Sequence, residues 1–117
     1  MFKTNLKVQA INNEGKRWKL LANLVYTHKD FGTYTVPKGF STDFASVPRI
    51  PIVFELVGNY GQAAATLHDY LYHHVDISRK EADKILLQAL RDTKVGKFRS
   101  YLMYFGVRAF GWMFFKK

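Results

Sequence analysis

The feature that most constrains this chain is a change in the spacing of its apolar residues. Apolar and polar side chains alternate over residues 6–10 and 18–26, which is the period of a half-buried strand. A third strand is predicted over residues 33–36, where the turn residues 37–39 end it. From residue 62 onward the apolar positions instead recur at helical spacing. This order predicts an α+β fold, with an N-terminal antiparallel β-meander followed by three packed helices.

Two helices are predicted in the middle of the chain. The first covers residues 62–74, and its apolar face carries Ala64, Leu67, Leu71 and Val75. The second begins after Ser78, because Ser78 and Glu81 have the spacing of a capping box. Its buried stripe is predicted to consist of Ala82, Ile85, Leu86, Ala89 and Leu90.

The C-terminal segment over residues 98–115 is strongly aromatic. It has about the minimum length of a membrane span, and a central arginine such as Arg108 costs roughly 2.5–3.5 kcal/mol on insertion scales. We therefore predict a core helix here and no transmembrane span. The alternative is an amphipathic helix that lies on a membrane or in the groove of a partner, with Lys116 and Lys117 at its polar edge.

The length of 117 residues suits one folding unit, and we predict a single domain over residues 1–117. Within it we expect the β-meander over residues 1–39, a proline-containing loop over 40–57 and a helical part over 58–117. The apolar fraction of 48% is high enough to bury a core, which excludes a disordered chain. The first residues lack the apolar region of a signal peptide, so we expect no such signal.

Charge and cysteine content limit the partners of the protein. The formal net charge is +9, and residues 93–117 carry six Lys or Arg and no Asp or Glu. This charge favours an anionic partner such as nucleic acid, phosphate or a membrane surface, although a cationic surface without a specific partner has the same composition. Because the chain has no cysteine, any metal ion would need His, carboxylate, carbonyl or water ligands.

A first polar cluster lies in residues 40–49, where Thr42, Asp43 and Ser46 stand among aromatic and apolar residues. The side chains of Asp43 and Ser46 can accept backbone hydrogen bonds and thereby fix an irregular loop. Alternatively, a rigid loop presents Asp43 as a metal ligand or a general base. Both interpretations stay open at this point.

A second cluster lies on the first predicted helix, where His68 and Asp69 are adjacent. Adjacent helical residues point about 100° apart, so these two side chains bind one ion only if it lies between their directions. Tyr72 shares the face of His68, and His73 shares the face of Asp69. Since apolar residues flank His68, we expect it to face the interior or a cleft, either as a hydrogen-bonded core histidine or as part of a site.

Asp83 on the second helix has two predicted roles. It pairs with Arg79, four residues earlier, as an exposed contact of about 0.3–0.5 kcal/mol, or it faces the first helix and joins the polar cluster. Arg108 lies among aromatic residues, and a buried arginine requires a partner. Asp43, Asp69 and Asp83 are the predicted partners, and pairing with any of them would neutralise the cluster.

Four motifs in order resemble a phage and prophage family catalogued as domain of unknown function 1353. They are FSTDFASVPR at residues 40–49, AATLHDYLY at 64–72, RKEAD at 79–83 and VRAFG at 107–111. The resemblance spans about residues 40–111 and implies a phage or prophage origin, with the host cytoplasm or the virion as the location. It implies no reaction.

Two classes of function are therefore predicted from the residues. One is a metal-dependent hydrolase, in which Asp43, His68, Asp69 and Asp83 hold Mn²⁺, Mg²⁺ or Zn²⁺, with the first three as catalytic residues. Thr42, Ser46, Tyr72, Arg79 and Arg108 would support this site. The alternative is a noncatalytic virion component or host-interaction protein, in which the Asp/His/Arg cluster is structural. Nucleic-acid binding ranks third, because only the charge favours it.

Overall fold

The computed structural model describes residues 1–10, 18–42, 62–93, 95–110 and 112. These residues form five strands followed by three helices. The strands are β1 (Val8–Ala10), β2 (Trp18–Leu20), β3 (Leu24–His28), β4 (Gly32–Val36) and β5 (Ser41–Thr42). The helices are α1 (Gln62–His74), α2 (Arg79–Asp92) and α3 (Lys97–Phe110). The α+β class, with antiparallel strands before three helices, is confirmed.

The strands form two small antiparallel sheets. In the first sheet, β2 lies between β1 and β5, and Lys19 pairs with Gln9 on one side and Ser41 on the other. The second sheet is the β3–β4 hairpin, in which Tyr26 pairs with Tyr34. The single strand predicted over residues 18–26 is thus divided between two sheets.

Asn23 holds the chain where that predicted strand divides. Its side-chain oxygen accepts a hydrogen bond from the backbone N–H of Lys38 at 2.7 Å, and its carbonyl accepts one from the Thr4 hydroxyl at 3.1 Å. Leu20 and Leu24 on either side are both fully buried. The two-residue period continues through the bend because both sheets face the same core, so the pattern shows burial but not the change of partner.

The β3–β4 hairpin closes through residues 29–31, and Gly32 at its end has a φ of 98°. A residue with a side chain is strained at that angle. The His28 ring supports the turn, since its Nδ1 accepts hydrogen bonds from the backbone N–H groups of Asp30 and Phe31 at 3.0 and 3.3 Å. The loop predicted over residues 40–57 begins instead with β5, and residues 43–57 lie outside the described part of the chain.

The first two helices agree closely with the sequence pattern. Helix α1 spans the predicted residues, and α2 starts after Ser78, whose hydroxyl accepts a hydrogen bond from the Glu81 backbone N–H at 3.0 Å. The core between the sheets and helices includes the predicted stripe of α2. Its buried apolar residues on the helices include Leu67, Leu71, Ala82, Ile85, Leu86, Ala89, Leu90, Met103 and Val107.

Helix α3 is buried on one side only. Ser100, Met103 and Val107 face the core, whereas Phe98 and Phe105 are exposed. A helix is therefore present where the core helix was predicted, but several of its aromatic side chains are exposed. Within the described residues, no helix has the length and apolar character needed to cross a membrane.

Candidate functional site

The candidate site is a buried polar cluster centred on Asp83 of α2, whose side chain is fully buried. One carboxylate oxygen, Oδ1, lies 2.8 Å from Nε2 of His68 and accepts a short hydrogen bond from the Tyr72 hydroxyl. His68 and Tyr72 are four residues apart on α1, so one helix face presents both groups to the same oxygen. We call Asp83, His68, Tyr72, Arg79 and Arg108 the Asp83 cluster.

The other carboxylate oxygen of Asp83, Oδ2, faces two arginines. Nη1 of Arg108, on α3, donates to it at 2.9 Å, and Nη1 of Arg79 lies 3.7 Å away. The Arg79 guanidinium also donates to the carbonyls of Val107 and Arg108 at 3.0 and 3.2 Å. These carbonyls belong to the last turn of α3, where intrahelical donors are missing. The Asp83 cluster therefore joins all three helices.

Burial and hydrogen bonding determine the ionisation of the cluster. Burial alone raises the pKa of Asp83, but hydrogen bonds from His68, Tyr72 and Arg108 outweigh it, and the net pKa lies below the ordinary 3.8. Burial, followed by the hydrogen bond to Asp83, raises the pKa of the Tyr72 phenol well above its ordinary value. Near neutral pH the cluster thus holds an ionised carboxylate and a neutral phenol.

The lowered pKa of Asp83 predicts a loss of stability in acid. As the pH falls below 3.8, the unfolded chain binds a proton at this carboxyl before the folded protein does, so the free energy of unfolding decreases down to the folded-state pKa. Urea unfolding at neutral pH and near pH 3 should show a smaller acid-induced loss in Asp83→Asn than in the unmodified protein. The exposed Asp76→Asn variant is the control. An equal acid-induced loss in Asp83→Asn and the unmodified protein would contradict the prediction.

His68 has one nitrogen without a hydrogen-bond partner among the described residues. Its Nδ1 is buried, while Nε2 contacts Asp83. If Nε2 carries the proton and donates to the carboxylate, Nδ1 is a bare acceptor. A buried acceptor without a donor costs free energy, so this atom is the least satisfied part of the Asp83 cluster.

The described ion pair of Asp69 is with His73 and not with a member of the Asp83 cluster. Its carboxylate lies 3.2 Å from Nε2 of His73, four residues later on α1, and its side chain is slightly exposed. The helix geometry directs His68 toward α2 and Asp69 toward His73. Of the predicted residues, the structure thus brings together His68, Tyr72, Arg79, Asp83 and Arg108, and it places the carboxylate of Asp69 beside His73.

The first predicted polar cluster is described only at its beginning. Phe40 contacts the rings of Tyr70 and His74 on α1, with centroid distances of 5.3 and 5.7 Å. Thr42 ends strand β5, and Asp43 and Ser46 lie outside the described residues. The predicted roles of Asp43 and Ser46 remain predictions.

The residues that the structure describes contain no group of three or more His, Asp or Glu side chains arranged to hold a metal ion. Both oxygens of Asp83 already accept hydrogen bonds, and the Arg108 guanidinium beside them opposes a second cation. Among the described residues, the Asp83 carboxylate is thus engaged by hydrogen bonds, and its role as a metal ligand remains a prediction.

The sequence left two roles open for Asp83, an exposed pair with Arg79 or a position that faces the first helix, and the structure shows Asp83 facing α1 with Arg79 3.7 Å away. Asp83 is fully buried, and the hydrogen bonds of Arg79 go to carbonyl groups at the end of α3. The only available signal was that Asp83 follows Ala82 on a largely buried stripe. The contacts of Arg79 with carbonyl groups have no sequence signal, because every residue supplies a carbonyl.

Comparison with known proteins gives one match. A family model described as "Protein of unknown function (DUF1353)" matches residues 18–107. The match begins at β2 and thus includes strands that precede the four motifs. No curated protein and no solved structure matches the chain.

Proposed function

This chain belongs to the DUF1353 family of proteins of unknown function, and we propose that it is a noncatalytic binding protein in which the Asp83 cluster fastens three helices together. The supporting observation is that Asp83 is fully buried while both of its oxygens accept hydrogen bonds from neighbouring helices. A carboxylate that acts on a substrate must reach it.

The Asp83 cluster also links three helices, as a structural network does. Arg108 and Arg79 tie α3 to α2, and His68 and Tyr72 tie α1 to the same carboxylate. A buried network that pairs its charged groups favours one arrangement of helices, because any other arrangement leaves those charges unpaired. The surface of the protein would then carry its function.

The phage or prophage origin implied by the family resemblance suggests two settings for such a binding protein. It would be a component of the virion or a factor that binds a host protein in the host cytoplasm. A net charge of +9 favours an anionic partner in either setting.

The proposal is tested by comparing His68→Ala with His73→Ala, its more exposed neighbour on α1. We expect His68→Ala to lose about 2–4 kcal/mol of unfolding free energy, since it leaves a cavity and removes one of the two hydrogen bonds to Oδ1 of Asp83. His73→Ala should change stability by less than about 1 kcal/mol. Thermal melting followed by circular dichroism measures both, and calorimetric titration with Mn²⁺, Mg²⁺ and Zn²⁺ should show no stoichiometric binding.

Stoichiometric binding of a divalent ion would instead support the second candidate function, a metal-dependent hydrolase. The observation that favours it is the unpartnered Nδ1 of His68, since a histidine oriented by a carboxylate at its other nitrogen can ligate a metal or act as a base. In that case a divalent ion would bind stoichiometrically, raise the melting temperature and fail to bind His68→Ala. That outcome would overturn the noncatalytic proposal.

A further inference from the structure

Helix α3 carries an exposed aromatic face opposite its buried side. Phe98 is 75% exposed, Tyr101 38% and Phe105 61%. At about 100° per residue these three positions fall within about 60° of one another on the helix. Trp112, beyond the end of α3, is also 66% exposed. We call Phe98, Tyr101 and Phe105 the aromatic face.

The aromatic face is unusual because it concentrates large apolar rings on one side of a single helix. Scattered exposed apolar residues are normal on a protein surface, whereas a contiguous patch marks an interaction site. Tyr101 and Phe105 contact each other, with ring centroids 6.2 Å apart, so the patch is continuous along a turn of α3. Burying it against an apolar phase would be favourable.

Cations flank the aromatic face, and α3 has no acidic residue. Lys97 and Arg99 precede and follow Phe98 and are both exposed, so they lie on opposite sides of the aromatic face. Arg108 is half-buried and pairs with Asp83, so it contributes less to this surface. Residues 93–117 contain six Lys or Arg and no acid. The surface is therefore apolar at its centre and positive at its edges.

We propose that the aromatic face of α3 binds the surface of an anionic lipid bilayer, with α3 lying parallel to it. This inference rests on the proposed binding role and names the partner. Aromatic rings insert at the level of the lipid headgroups, and flanking Lys and Arg residues contact anionic lipids at the same depth. The apolar centre of the aromatic face and the cations at its edges match these two components of the bilayer surface.

The other occupants fit this surface less well. A second copy of the chain would add the same cations to the interface, and α3 has no acidic residue to pair with them. Single-stranded nucleic acid stacks its bases on open ring platforms. Here the ring planes of Tyr101 and Phe105 are tilted by 38°, so they do not form the parallel platforms on which successive bases stack. An acidic protein surface is left as an outcome of the test.

The test is co-sedimentation of the full chain with phosphatidylcholine vesicles that contain or lack phosphatidylserine. We expect binding only to the phosphatidylserine vesicles, weakening as salt is added. Phe98→Ser with Phe105→Ser should weaken binding by about tenfold or more. The control is Leu21→Ser, which changes an apolar residue that is 46% exposed away from α3.

A series of variants that each remove one positive charge measures the electrostatic contribution to vesicle binding. Lys97→Gln and Arg99→Gln should each weaken binding by about fivefold. Lys80→Gln and Lys84→Gln on α2, also exposed, should have smaller effects. In addition, tryptophan fluorescence should shift to shorter wavelength on binding, and Trp112→Phe should remove this shift while keeping most of the affinity.

Two results would overturn the lipid proposal: no binding to either vesicle, or binding that the two α3 phenylalanines do not affect. Both leave the noncatalytic role intact, because that role depends on the metal titration and on the melting of His68→Ala. Binding to an acidic protein but not to vesicles would reject the lipid as partner. Melting of each α3 variant by circular dichroism ensures that lost binding is not lost folding.

Discussion

Replacement of Asp83 by alanine is expected to lower the free energy of unfolding by about 3–5 kcal/mol, the range found when one partner of a buried ion pair is removed. The change leaves the Arg108 guanidinium without its carboxylate at 2.9 Å. It also removes the acceptor of His68 and Tyr72, both of which are buried. The melting temperature should fall by roughly 10 °C or more in a domain of this size.

The matched control for this prediction is Asp76→Ala, which removes an exposed carboxylate between α1 and α2. It should change stability by less than about 1 kcal/mol. Asp83→Asn adds a second comparison, since it keeps the volume of the side chain and removes its charge. Equal melting temperatures for Asp83→Ala and Asp76→Ala would show that the Asp83 cluster does not hold the helices together.

Replacement of Leu86 by alanine is expected to cost about 2–5 kcal/mol, because it opens a cavity in the core. Leu86 is fully buried on α2, the helix that packs against both α1 and α3. It lies one turn after Asp83, so it supports the apolar layer next to the Asp83 cluster. Urea unfolding of the full chain measures the change as a shift in midpoint at constant slope.

Leu21→Ala is the control for this substitution, since it removes the same atoms from a side chain that is 46% exposed. It should change the free energy of unfolding by about 0.5 kcal/mol or less. If Leu86→Ala proved as mild as Leu21→Ala, then α2 would not pack centrally in the core. A large effect of Leu86→Ala together with a mild effect of Asp83→Ala would instead show that apolar packing alone holds the helices.

The sequence predicted the elements whose signals are local. Helix α1 was placed correctly by the three-to-four spacing of Leu67 and Leu71, and α2 by the Ser78 cap. The alternation around Tyr26 identified buried strand residues. Each of these signals depends on residues close together in the chain, and the local backbone geometry converts such spacing directly into a face.

The sequence predicted many of the residues of the candidate site but not which of them contact one another. His68 was expected to face the interior, and it is buried against Asp83. The choice of Asp83 as the partner of Arg108 was one of three alternatives, because the sequence contains several carboxylates and no local rule selects among them. Only the structure showed that His68 contacts Asp83 while the neighbouring Asp69 lies beside His73.

What the sequence by itself determined is therefore the order of strands before helices and the faces of α1 and α2. Only the tertiary structure decided that residues 18–26 are divided between two sheets, that Arg79 holds the end of α3, and which rings of α3 remain exposed. The physical reason is that periodicity shows whether a residue is buried, whereas its partner depends on contacts between residues far apart in the chain. On α3 both faces are apolar, so periodicity could not indicate which of them faces the core.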